Sequence, residues 1–191
     1  MPYDRLYHFI AAGIWDEAPL QRALLGEADR LVGGADVILV VDDTALPKKG
    51  HRSVGTAPQY ATTLGKTVNC RTLVSLTLAR GEVPVAVGLT LFLAETSTSD
   101  SDRMVSAGVP EGLRAARTKL EIAFAEIDRV REGGVRFGCV LADASYGSAP
   151  FRQALKAPKV SEVLQRDCPG DLLEGYGIIR VHRVDPLGTF G

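Results

Sequence analysis

The stretch Ile38–Gly50, "ILVVDDTALPKKG", runs from consecutive apolar, β-branched residues into two adjacent aspartates, a proline and two lysines. Its front half is too short for a helix, and apolar residues at consecutive positions are the pattern of a strand buried on both faces. A strand of this kind that stops on two negative charges raises a question of purpose, because charge beside a core is costly unless something compensates it.

The flanking sequence gives this strand its neighbours. Upstream, "DEAPLQRALLGEADRLVGG" from Asp16 sets Leu20, Leu24, Ala28 and Leu31 at helical spacing, with Asp16 as N-cap and Gly33-Gly34 as the stop. Downstream, residues 44–66 are rich in Pro, Gly, Ser and Thr and show no sustained period, which predicts a long functional loop. In "VNCRTLVSLTLAR", Val74, Leu76 and Leu78 share one face. In "VPVAVGLTLFL" apolar residues alternate from Val83 to Leu93. The intervening Arg80–Glu82 suits a hairpin, with Gly81 able to take positive φ. Further on, Thr118 and Glu121 form a T-x-x-E capping box ahead of a stripe of Leu120, Ala123, Phe124, Ile127 and Val130. Another apolar strand, "VRFGCVLAD", then ends on Asp143, and a short helix is expected over 149–155.

This order predicts an α/β mixed sheet: three antiparallel-connected strands, a crossover helix, and a fourth strand parallel to the first. With the fourth strand beside the first, Asp143 emerges next to the Asp42-Asp43 pair.

Composition is that of an ordinary globular chain, with 46% hydrophobic and 24% charged residues in 191. Neither a membrane span nor a secretory signal is recognisable, which predicts a cytoplasmic protein with no membrane partner. Cys70, Cys139 and Cys168 lack C-x-x-C spacing and read as structural rather than zinc ligands. His8, His51 and His182 are too scattered to nominate a catalytic base. The net charge of −1 conceals an asymmetry: residues 42–80 carry six basic and two acidic side chains, whereas 1–41 carry three and six. The basic segment begins at the aspartate pair and holds Lys48, Lys49, Arg52, Lys66, Arg71 and Arg80.

Neighbouring carboxylates repel one another unless they share a proton or a cation sits between them. Oxygen donors with few histidines favour Mg²⁺ or Mn²⁺ over zinc. A pair of such ions can activate a hydroxyl and stabilise a leaving oxygen in phosphodiester displacement, and nearby lysines and arginines would meet the phosphate backbone. Against this stands the ordinary use of a strand-end aspartate as a turn or cap residue, and of a loop lysine as part of a solvated face.

The segments Val40–Leu93 and Ala107–Leu155, together with "LYHFIAAGIWDEAPL", resemble the bacterial insertion-sequence transposases of the DDE type. The resemblance implies a ribonuclease H-like fold, DNA as partner in the form of transposon ends and target, and metal-dependent cleavage followed by 3′-hydroxyl strand transfer. It also implies a two-ion Mg²⁺ or Mn²⁺ site. The family's first acid is the aspartate directly before threonine, which is Asp43 before Thr44, and its second falls on Asp143 of "LADASYG", where Ser145 replaces the more usual glycine. Lys48, Lys49, Arg52 and Lys66 are then the expected DNA contacts, and a homodimer is a candidate assembly. The third acid, a glutamate on a later helix, is unknown here: Glu162 and Glu174 sit in no recognisable motif. The expected organisation is an N-terminal helical segment over 1–35, a partial catalytic core over 36–155 and a divergent tail over 156–191, making the fold incomplete at its C-terminus. Two alternatives accompany this reading. One is a catalytically inactive remnant that keeps at most DNA binding. The other is a receiver-like Mg²⁺-binding phosphoacceptor domain, since "ILVVDD" also resembles the first strand of that fold.

Overall fold

A computed structural model describes residues 8, 16–50, 53–61, 64–142 and 144–146. The elements in chain order are α1 (Ala18–Val32), β1 (Ile38–Pro47), β2 (Ala57–Ala61), β3 (Lys66–Arg80), β4 (Val83–Phe92), α2 (Glu95–Thr98), α3 (Ser101–Ser106), α4 (Lys119–Glu132) and β5 (Cys139–Ala142). Short 3₁₀ turns occupy Glu111–Leu113 and Ala144–Tyr146.

The sheet is mixed. β3 pairs antiparallel with β1 over its whole partner, Ile38↔Ala79 to Pro47↔Cys70. Its other edge is shared by β2, opposite Lys66–Cys70, and by β4, opposite Thr72–Arg80. β5 closes the described sheet by pairing parallel with β1, Ile38↔Cys139 to Val41↔Ala142. This is the expected arrangement, with the predicted fourth strand, the short Cys139–Ala142, delivered beside the first by the α4 crossover. The antiparallel β1–β3 pair is incompatible with a receiver domain, whose doubly wound sheet puts parallel strands on both sides of the first.

Two expectations about strands are corrected. β1 does not stop at the aspartates; it continues through Asp42 and Asp43 to Pro47, because Cys70–Ser75 of β3 offer a backbone partner for each of those residues. Residues 44–66 are accordingly not one loop, since the end of β1 and all of β2 lie within them. "APQYA" has no apolar alternation to reveal it as a strand, and Gln59 and Thr72 tie it down through polar bonds instead: Gln59 Nε2 donates to Cys70 O (3.2 Å) and Thr72 Oγ1 donates to Gln59 Oε1 (2.8 Å).

One face of the sheet packs on α1 and α4. Leu39, Val41, Val74, Leu76, Leu78 and Val87 are all buried in a core that Leu25, Ala28 and Val32 of α1 and Ile122, Ala123, Ile127 and Val130 of α4 complete. Full burial of one such side chain contributes about 1.5–3 kcal/mol. The predicted face of α1 is wrong: Leu20, Leu24 and Leu31 are exposed, and the rotated stripe Leu25, Ala28, Val32 faces the sheet. Asp16 is also one residue early as the cap; Glu17 holds that position with no side-chain bond, while Asp16 Oδ1 accepts from Ala18 N (3.0 Å). The α4 capping box forms as expected, Thr118 and Glu121 bonding each other's backbone N–H.

Two glycines fix how the layers meet. A Cβ at Gly88 would lie 2.8 Å from Glu126 Oε2 and 3.0 Å from Arg129 Nη2, so the glycine leaves room on β4 for the ends of these two α4 side chains. There Thr90 Oγ1 donates to Glu126 Oε1 (2.9 Å), and Arg129 Nη2 donates to Val87 O (2.7 Å). A Cβ at Gly138 would fall 1.9 Å from Ala35 O, and Gly138 N donates to Val37 O (2.7 Å), which seats the entry of β5 against β1. The strict alternation expected along β4 is broken by a bulge, where Leu76↔Gly88 gives way to Thr77↔Ala86 and leaves Val87 as the extra residue.

Candidate active site

Asp43 lies in β1 opposite Val74, and paired residues project to the same face. Because Val74 is fully buried beneath the helices, Asp43 points to the helix-covered side and not to open solvent. Asp42 alternates to the other face; its Oδ1 accepts from Asp43 N (2.7 Å) and its carbonyl accepts from Ser75 Oγ (3.1 Å).

Both oxygens of the Asp43 carboxylate are engaged. Lys119 Nζ, at the first position of α4, contacts Oδ2 at 2.5 Å. The Tyr146 hydroxyl, in the turn after β5, donates to Oδ1. Tyr146 is buried, the Asp43 side chain is 18% exposed and that of Lys119 34%. The Lys119 ammonium also lies 5.6 Å from the centre of the Phe92 ring, within reach of a cation–π contact. A carboxylate withdrawn this far from water is stabilised only by such partners, and removing the ammonium would leave an uncompensated charge in low dielectric.

Lys119 and Tyr146 were not foreseen from sequence, although signals for both exist. A cation at the first helical position opposes the macrodipole, which favours negative charge there, so Lys119 breaks a local preference. Tyr146 belongs to the same "LADASYG" stretch as Asp143.

The remaining site candidates fall in three places. Asp143 and Arg52 lie outside the described residues, as do Glu162 and Glu174. Ala142, immediately before Asp143, pairs with Val41, two residues before Asp43. Lys48 and Lys49 follow β1 and Lys66 begins β3, all three exposed at the end of the sheet where β2 pairs. Asn69 braces that end: its Nδ2 donates to Gly50 O (2.6 Å), and Lys48 N donates to Asn69 O (2.9 Å). Five residue steps of extended chain take Asp43 to Lys48, about 17 Å at roughly 3.4 Å per step. The lysines therefore lie past the end of the strand that carries Asp43, or at the start of its neighbour, and do not form a single cluster with the aspartate.

Among the described residues no three His, Cys, Asp or Glu side chains come together as a metal-binding group. The Asp43 carboxylate is nonetheless a hard oxygen donor suited to Mg²⁺ or Mn²⁺, and the ammonium against Oδ2 shows that this position accepts a cation.

Away from the site, Asp29 near the end of α1 receives Arg136 twice over, from its backbone N–H (2.8 Å) and its guanidinium (3.1 Å to each oxygen by Nε to Oδ1 and Nη2 to Oδ2). Partial burial pushes the Asp29 carboxyl upward, but the Arg136 hydrogen bonds and charge outweigh it and hold the group below its ordinary value. This clamp fixes the segment leading into β5.

No helix among the described residues is long and apolar enough to cross a membrane. No solved structure matches the chain. Among curated proteins, the chain is 31% identical over 144 residues to the "Probable transposase for insertion sequence element IS701" of Microchaete diplosiphon, a match covering 75% of this chain and 35% of that protein. The chain thus spans about a third of that relative's length. Endonucleases of the DDE superfamily generally depend on divalent metal. The model of that superfamily, described as "DDE superfamily endonuclease", matches residues 1–166, and the chain belongs to this family of insertion-sequence transposases of the DDE type.

Proposed function

We propose that this chain carries the first part of a DNA-transposing active site, cleaving phosphodiester bonds at transposon ends and joining the freed 3′-hydroxyl to target DNA. The observation that carries the reading is Asp43. It is a largely buried carboxylate, at the position the resemblance gives to the first acid, already compensated by a cation, on a strand whose parallel neighbour ends one residue before Asp143. In this reading Asp43 and Asp143 are the metal-holding acids, and the third acid is unassigned. Two Mg²⁺ or Mn²⁺ ions, when bound, would supply a polarised nucleophile and stabilise the leaving oxygen. The chain's own residues do the rest. The buried Tyr146 hydroxyl donates to Oδ1 and so orients the Asp43 carboxylate, and Lys119 of α4 covers Oδ2.

Lys48, Lys49, Arg52 and Lys66 are proposed to hold the DNA backbone, beginning about five base steps from the acid at roughly 3.4 Å of rise per step. At about 17 Å from Asp43, Lys48 is too far to touch a phosphate bound at Asp43 and well placed for the flanking duplex. DNA bound in this way is a cytoplasmic substrate in a bacterial cell, and a homodimer would serve the two ends of one element.

The test is a nicking assay on transposon-end DNA with Mg²⁺ or Mn²⁺, comparing the chain with Asp43→Ala. Metal-dependent nicks lost in the variant support the reading. Nicks that survive in Asp43→Ala overturn the assignment of Asp43. Salt-sensitive DNA binding without any cleavage would instead identify a chain that binds and does not cut.

A further inference from the structure

Lys119 is placed against its local preference. It occupies the first position of α4, where the helix dipole disfavours a cation, and the residue that serves the helix end is Glu121 through the capping box. What Lys119 gains in exchange is the Asp43 carboxylate at 2.5 Å and the Phe92 ring face at 5.6 Å. A residue that breaks a rule of its own element while satisfying a carboxylate 76 positions away is serving the site and not the helix.

The two partners of Asp43 differ in what they can do. Tyr146 is buried, neutral and close to Oδ1, a fixed brace. Lys119 is about one-third exposed, charged and on a flexible stem, so it can leave Oδ2 for water without opening the core. A divalent ion approaching Asp43 meets an oxygen already holding a positive charge, and two cations in contact at one carboxylate oxygen repel.

We propose that the Lys119 ammonium is a tethered stand-in for the divalent ion at Asp43 Oδ2. It keeps the carboxylate compensated while no ion is bound, and ion binding requires its release. Lys119 is thus a positioning residue that sets how much metal the site needs. The inference rests on the reading of Asp43 as a metal-holding acid.

The experiment is thermal unfolding of the full chain across a Mn²⁺ titration, for the parent, Lys119→Met, Lys119→Arg, and Asp43→Asn. The expected result is a Mn²⁺ midpoint lowered by roughly tenfold or more in Lys119→Met, since a contact repulsion between like charges is removed. Lys119→Met should also melt lower than the parent without metal and recover with it, while Lys119→Arg, which keeps the charge, should titrate like the parent. Asp43→Asn should show no response at all. Should Lys119→Met not fold without metal, Lys119→Gln makes the same comparison. A Lys119→Met midpoint equal to or above that of the parent, with Asp43→Asn still silent, overturns the stand-in role and leaves the nuclease reading intact. A Mn²⁺ response that persists in Asp43→Asn overturns the metal role of Asp43 itself.

Discussion

The two halves of β1 share one backbone ladder and have opposite purposes. Ile38–Val41 is paired on both sides, with β3 and with β5, and Leu39 and Val41 are sealed into the core. Asp42–Pro47 keeps β3 along one edge, and its side chains grow more exposed toward Pro47. The first half spends its burial on fixing the position of the strand; the second half uses that position to hold a charged group where an unanchored chain would let it drift. Rigid elements hold such groups better than loops do, because the supporting rotamers are locked by packing.

The contrast predicts that stability and activity respond to different residues. The largest effect should be on cleavage: Asp43→Ala should slow it by about 10³-fold or more, because charge stabilisation at a metal-assisted centre is worth several kcal/mol and each 1.4 kcal/mol is tenfold. Quantified nicking rates at saturating Mn²⁺ measure this. In the anchoring half, Leu39→Ala should lower unfolding free energy by about 2–5 kcal/mol in urea titrations, the usual cost of a large cavity in a packed core. If Asp43→Ala were to destabilise the fold as much as Leu39→Ala, the division of the strand into anchor and site would fail.

Smaller effects sharpen the comparison. Gly138→Ala should cost about 1–3 kcal/mol by forcing Ala35 away from the β5 entry, and with β5 displaced, cleavage should fall along with stability, linking the anchor to the site. Replacing Lys48 and Lys49 together by alanine should leave the melting temperature unchanged and flatten the salt dependence of DNA binding by roughly 0.9 of a log unit per lysine. The smallest effect concerns pH. Asp29 has a folded-state pKa below its unfolded value, so the unfolded chain binds more protons as pH falls, and the stability it contributes is complete above about pH 3.9 and lost as pH drops through the folded value. Arg136→Met should remove that portion of the acid sensitivity, read as a flatter stability profile at low pH, without altering Mn²⁺ response.

Much of this design is written locally in the sequence. Val74, Leu76 and Leu78 alternate and are buried together, and Thr118 and Glu121 form the box their spacing promises. The parallel pairing of β5 with β1 follows from a crossover helix between two apolar strands. What stayed hidden depends on partners. The extension of β1 past Asp43 is dictated by backbone pairing with β3, and β2 is held by side-chain bonds from Gln59 and Thr72, neither of which produces apolar periodicity within the paired segment itself. Leu20, Leu24 and Leu31 match a helical period as well as Leu25, Ala28 and Val32 do, and only the sheet beneath chooses between them. Within the candidate site, Asp43 stands in a recognisable run of residues, whereas Lys119 and Tyr146 reach it from 76 and 103 residues away, beyond any local pattern.

Those separations also govern timing. A chain emerging from the ribosome presents Asp43 first, and the ammonium that compensates it and the phenol that orients it follow only after β3, β4 and, for the phenol, α4 and β5 have been made. Contacts this distant in sequence form late, once intervening segments have closed their loops. The cluster of Asp43, Lys119 and Tyr146 is therefore not assembled on a nascent or partly degraded chain, and any chemistry it performs waits until the sheet that carries it has closed.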